Sequence, residues 1–88
     1  MRLREITCLS GTCGGSTSRV KIYFEEGGKV FYWDEIFPHR LKRSPTGSVQ
    51  EAEYRKVISA LRRELSRRRF TGDAYYLRKA LKSLTGSR

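Results

Sequence analysis

The segment Cys13-Gly14-Gly15-Ser16-Thr17-Ser18-Arg19 sets a thiol and a guanidinium at the two ends of a loop rich in glycine and hydroxyls. Such a loop can do nucleophilic phosphate chemistry, with a thiolate attacking, backbone N–H groups cradling the anion and the Arg clamping it. A second run, Cys8-Leu9-Ser10-Gly11-Thr12-Cys13, shares its last cysteine with the first. The other chemistry is carried by charge. Residues 39–88 hold fourteen Lys/Arg against four Asp/Glu, while residues 1–38 hold five of each, so the whole net charge of +10 lies in the second half. An uncompensated basic surface of this kind attracts polyanions at long range. Arg outnumbers Lys thirteen to six, and the planar Arg fork grips phosphate at two points and stacks on bases.

The Cys13–Arg19 run has the form C-x5-R and resembles the loop of cysteine-dependent phosphatases. Cys8–Cys13 resembles the opening of the low-molecular-weight phosphatase loop. Both resemblances imply catalysis, and the flanking residues argue against it. Thr12 stands where the first family carries a His, Val20 follows the Arg where a hydroxyl residue is common, and Arg19 opens a strand-like run instead of a helix. In the second pattern the clamping Arg would fall at Gly14. No enzymatic activity, catalytic residue or small-molecule substrate is therefore expected. The loop reads as a glycine-rich connection whose amides can hold an anion. Cys8, Cys13 and His39 are the only soft metal ligands, and none forms the paired C-x2-C of a zinc site, so no metal and no other cofactor is expected. The spacing permits a Cys8–Cys13 disulfide without settling it.

Eighty-eight residues make one small domain. Val20, Ile22 and Phe24 alternate with Arg19, Lys21 and Tyr23, the period of a half-buried strand. Glu26-Gly27-Gly28-Lys29 makes a hairpin turn, and Val30–Trp33 returns. This pairing sets Ile22, Phe24, Phe31 and Trp33 on a core face, and Lys21, Tyr23, Val30 and Tyr32 on the other. Leu3–Leu9 is a weaker third strand, joined through Ser10–Ser18. Residues 39–48 read as a basic connector. Ser48-Val49-Gln50-Glu51 has the S-x-x-E form of a capping box and predicts a helix from about Val49 to about Arg69. Its apolar stripe is Tyr54, Val57, Ile58, Leu61 and Leu65. Asp73 caps a second helix, with stripe Leu77, Ala80, Leu81 and Leu84, ending before Gly86. The expected fold is α+β: a two- or three-stranded antiparallel sheet in a neutral half (1–38), then a long and a shorter helix in a basic half (49–85).

At 100° per residue, Arg55, Lys56, Ser59, Arg62, Arg63, Ser66 and Arg67 fall on one flank of the first helix, and Glu53 and Glu64 on the other. Small hydroxyls among arginines add donors for phosphate without holding the backbone away. On the second helix Tyr75, Arg78, Lys79 and Lys82 cluster away from the stripe, with Tyr75 able to stack on an unpaired base. Tyr76 lies nearer the core, and the Tyr23/Tyr32 pair reads as ordinary sheet packing. With Arg40, Lys42 and Arg43 of the connector, these residues are the expected nucleic-acid surface. The reading is a non-catalytic binder of the phosphate backbone, with structured RNA, as in a ribonucleoprotein, slightly ahead of duplex DNA in a chromatin or viral protein. A protein adaptor docking through the neutral sheet half is the alternative. No membrane association is expected, since no apolar run approaches the roughly 20 residues of a span. The start lacks the apolar stretch of a signal peptide, which points to the cytoplasm. The absence of Asn, the single Gln50 and the single Met1 point toward a hot habitat.

Overall fold

The computed structural model describes residues 1–8, 19–68 and 71–86, and every structural statement below concerns these. The β2–β3 hairpin forms where the alternation is cleanest. Strands β2 (Val20–Glu26) and β3 (Lys29–Asp34) pair with Ile22 opposite Trp33 and Phe24 opposite Phe31. Gly27 and Gly28 take φ of +57° and +80° between them. Two consecutive positive φ values match the turn to the right-handed twist of the strands, and only glycine adopts them without strain. The core face holds Val20, Ile22, Phe24, Phe31 and Trp33, all fully or almost fully buried.

Strand β1 (Arg2–Cys8) pairs antiparallel with β2, and its register shifts between Leu3 and Glu5. The shift matters because Leu3 and Ile6 stand an odd number of positions apart and would otherwise face opposite ways. With the extra residue absorbed, Leu3 lies opposite Phe24 and Ile6 opposite Ile22, and both pack against the core. On the far side the expected connector is itself a strand. β4 (Leu41–Ser44) pairs with β3, placing Leu41 opposite Trp33 and Lys42 opposite Tyr32. The sheet is therefore four-stranded, in the order β1-β2-β3-β4, and not two- or three-stranded. The chain reaches β4 through a tight turn. Asp34 Oδ1 accepts the Ile36 N–H (3.0 Å), and Trp33 Nε1 donates to the Pro38 carbonyl (2.9 Å).

Both helices cover the same face of the sheet. Helix α1 (Glu51–Arg68) begins later than expected. The Gln50 N–H donates to the Glu53 carboxylate (2.8 Å), so the first turn is closed from Gln50, two residues beyond the Ser48 of the predicted box. Helix α2 (Asp73–Gly86) starts from the Thr71 carbonyl, which accepts the Ala74 N–H (3.2 Å), and includes both Asp73 and Gly86. α1 starts over β3 and β4, where the Leu41 N–H donates to Tyr54 Oη (3.1 Å), and Arg63 reaches the Met1 carbonyl beside β1 (2.7 Å). α2 starts beside β1 and brings the Ser83 carbonyl to His39 beyond β3 (3.1 Å). The helices thus run antiparallel across the strands. Val57, Ala60, Leu61, Leu77, Ala80 and Leu84 fill the layer between them and the sheet.

Candidate nucleic-acid interface

On α1 the inward side is set by Val57, Ala60, Leu61 and Glu64. The opposite side carries Arg55, Ser59, Arg62 and Ser66, which recur at i, i+4, i+7 and i+11 and so form one exposed stripe. Lys56, Arg63 and Arg67 flank it and are also exposed. All seven α1 residues expected on this flank are therefore brought together on one solvent face. Among the described residues, Arg55 and Arg62 pair with no carboxylate. Lys56 Nζ lies 2.7 Å from Glu26, and Arg67 lies 3.4 Å from Glu64.

A concavity of about 350 Å³ opens between this face and the β2–β3 turn, lined by Met1, Glu26, Arg55, Lys56, Ser59 and Arg63. Its one carboxylate is already neutralised. Hydrogen bonds from Lys56 and from the N-terminal ammonium hold the Glu26 carboxyl down to about 2, and Glu26 in turn raises the Lys56 ammonium. With Glu26 shared between Lys56 and the terminus, which together outweigh it by one charge, the Arg55 and Arg63 guanidinium groups and the Ser59 hydroxyl face the opening as donors.

On α2 the residues Tyr75, Arg78, Lys79 and Lys82 are all exposed and face away from Ala74, Leu77, Ala80 and Leu84. Tyr75 is 60 % exposed and meets Tyr76 edge to face at 5.0 Å. Lys79 lies 2.7 Å from Glu35 of the sheet half, a hydrogen bond that raises its ammonium further. Arg78 and Lys82 pair with no carboxylate among the described residues. Of the carboxylates of the two helices, Glu53 and Asp73 lie in first turns and Glu64 is buried, while Glu51 is exposed one turn before Arg55 on the same stripe. Glu64 is not on an acidic solvent flank as the helical projection suggested. It is only 7 % exposed. Its Oε2 lies 3.2 Å from Arg68 Nε but without the alignment of a hydrogen bond. The buried arc is turned from the apolar stripe toward Ala60 and Glu64, leaving Tyr54, Ile58 and Leu65 half-buried.

The three connector residues do not join the helix layer. Arg40 is exposed in the turn before β4. Arg43 lies opposite Phe31 and so points to the helix-covered face, half-buried beside Gly47, with its Nε buried and without a hydrogen-bond partner. Lys42 points the other way, onto the face that carries Tyr32. Its position there was missed because β4 was unread. The only signal was the alternation of Leu41 and Arg43 with Lys42 and Ser44, too short to stand out.

Cys13 and the rest of the C-x5-R loop before Arg19 lie outside the described residues. Arg19 itself grips Asp34 through two hydrogen bonds of 3.1 and 2.5 Å. The Asp34 carboxyl is 2 % exposed and held below its ordinary range, first by Arg19 and then by the Ile36 N–H despite burial. Cys8 is disulfide-bonded, and among the described residues no three of His, Cys, Asp and Glu cluster as a metal would need. No described helix is long and apolar enough to cross a membrane. No protein-family model matches the chain, and neither a curated protein nor a solved structure matches it.

Proposed function

We propose that this chain is a non-catalytic nucleic-acid-binding protein that grips the phosphate backbone with its helix layer, with structured RNA favoured over duplex DNA. One observation carries the reading. Arg55 and Arg62 of α1, with Arg78 and Lys82 of α2, stand exposed without an ion-pair partner among the described residues, on an outward face whose carboxylate, Glu51, lies at the very start of α1. A face kept for solubility would mix its charges in i,i+4 pairs. RNA is favoured because Arg dominates the α1 stripe and Tyr75 offers a ring to an unpaired base.

Titration of a stem-loop RNA, a DNA duplex of equal length and anionic vesicles tests this. With about six phosphates neutralised, duplex affinity falls about a thousandfold between about 50 and 200 mM salt, and the stem-loop binds tightest. Binding that ignores salt, or vesicles outcompeting both nucleic acids, refutes the proposal.

A further inference from the structure

The two helices cover one face of the sheet and leave the other open. On that open face Tyr23 and Tyr32 sit side by side on β2 and β3, both half-buried, with ring centroids 5.5 Å apart and planes tilted by 31°. Lys21 Nζ lies 5.4 Å from the Tyr32 ring centre, and the strand register places Lys42 directly opposite Tyr32. Lys42 leans over Phe37, 4.4 Å from its ring centre, and Phe37 is 46 % exposed. Three aromatic rings and two lysines thus share the open face, the tyrosines adjacent and each lysine beside a ring.

The charges around this row leave it net cationic, although one exposed carboxylate, Glu5 on β1, stands opposite Tyr23. Asp34 is buried and held by Arg19. Glu25 is engaged by Arg2, with Arg4 3.9 Å away. Glu26 and Glu35 are turned to Lys56 and Lys79 of the helices. Lys21 stands opposite Asp34 and adds to the positive charge that holds its carboxyl down, but neither Lys21 nor Lys42 forms an ion pair among the described residues. A patch built to close against a protein core would not keep two unpaired ammonium groups at its centre. Rings that stack bases, interleaved with cations that hold the connecting phosphates, are what an unpaired strand requires.

We propose that this open sheet face is a second nucleic-acid site, taking a single-stranded segment whose bases stack on Tyr23 and Tyr32 while Lys21 and Lys42 meet its phosphates. The site lies across the sheet from the helix layer, so the protein holds a paired and an unpaired segment on opposite sides. This extends the nucleic-acid reading of the helices without requiring it, because the two faces share no residue.

Anisotropy titrations with a labelled ten-nucleotide oligouridine and with a blunt RNA duplex separate the two sites. The substitution Tyr23→Thr/Tyr32→Thr keeps strand-forming residues. It lowers oligouridine affinity at least about 30-fold, the low end for two stacked bases, and leaves duplex affinity within about twofold. Tyr23→Phe/Tyr32→Phe, which keeps the rings, retains binding. Lys21→Gln/Lys42→Gln, which leaves both tyrosines in place, weakens oligouridine alone and covers the case in which the threonine variant unfolds. Arg55→Gln/Arg62→Gln shows the converse pattern. Oligouridine binding that survives the threonine and glutamine variants, or that falls only together with duplex binding, overturns the sheet site. Wild-type protein that binds oligouridine but no duplex refutes the helix reading and leaves the sheet site standing.

Discussion

Replacing Arg55 and Arg62 with glutamine removes two cations from the centre of the α1 stripe without touching any ion pair or the core. Counterion release gives the size of the effect. If the helix layer neutralises about six duplex phosphates, log affinity falls against log salt with a slope of roughly −5.4, at about 0.9 per contact. Losing two contacts brings the slope to roughly −3.6. Near 0.1 M salt each contact is worth about 0.9 of a log unit on the same relation, so the double variant binds about 60-fold more weakly. The comparison is Arg2→Gln/Arg4→Gln, which removes the same charge from β1, where both side chains lie against Glu25 of the sheet and not on the α1 stripe. Anisotropy with a short blunt duplex at several salt concentrations reads both slope and affinity, and circular dichroism confirms that each variant is folded. Equal loss in the two double variants would show that net charge, and not a face, drives binding. An unchanged slope in Arg55→Gln/Arg62→Gln would show that these side chains never meet phosphate.

Three further outcomes follow from the packing. Glu64→Met replaces a buried carboxylate that has one long hydrogen bond from Arg67 and an Oε2 with none, so it raises stability by about 1 kcal/mol in thermal unfolding; a clear loss would mean that Arg67 and Arg68 compensate Glu64 fully. Tyr54→Phe strips the acceptor from the Leu41 N–H and costs about 1–2 kcal/mol, with faster hydrogen exchange at the Leu41 amide as the local signature. The folded-state pKa of Glu26 lies at about 2 against an ordinary 4.5, so it contributes stability in full above about pH 4.5 and loses it as pH falls toward 2; the Asp34 carboxyl is lowered too, and its contribution is likewise lost in acid. Urea midpoints across that window should decline in the native protein and decline less in Glu26→Gln; identical pH curves for the two would contradict the Lys56–Glu26 link.

How much was legible depended on whether one local pattern governed a segment. The β2–β3 hairpin was fully readable, because alternation, two glycines and a returning apolar strand all agree. The register offset between Leu3 and Glu5 weakened the signal of β1, which was legible only as a weaker strand over Leu3–Leu9, since it breaks the period-two rule that identifies a strand. β4 was hidden by its four-residue length and three polar residues; it is fixed by pairing with β3 and by Tyr54, neither of which a local window contains. The exposed stripes of both helices followed from spacing alone. The fate of Glu64 did not, because a helical projection ranks positions by hydrophobicity, while the packing of α2 and the sheet decides which arc is enclosed. The ties from Glu26 to Lys56 and from Glu35 to Lys79 join positions far apart in the chain and could only be seen once the fold was known.

The serial order of the sheet also bears on how the chain reaches this state. Each strand pairs with its neighbour in sequence, and the two helices pair with each other, so the backbone ladder needs only short closures. Such topologies form quickly, because little chain entropy is lost before a contact forms. During synthesis, however, the whole meander is made before the residues that cover it. Until Val57, Leu61, Leu77 and Leu84 have left the ribosome, Ile22, Phe24, Phe31 and Trp33 present a bare apolar surface with an open β1 edge. The basic helices therefore complete the solvent shield of the sheet, and a chain interrupted before α1 would be the species most prone to pair edge to edge with its own copies.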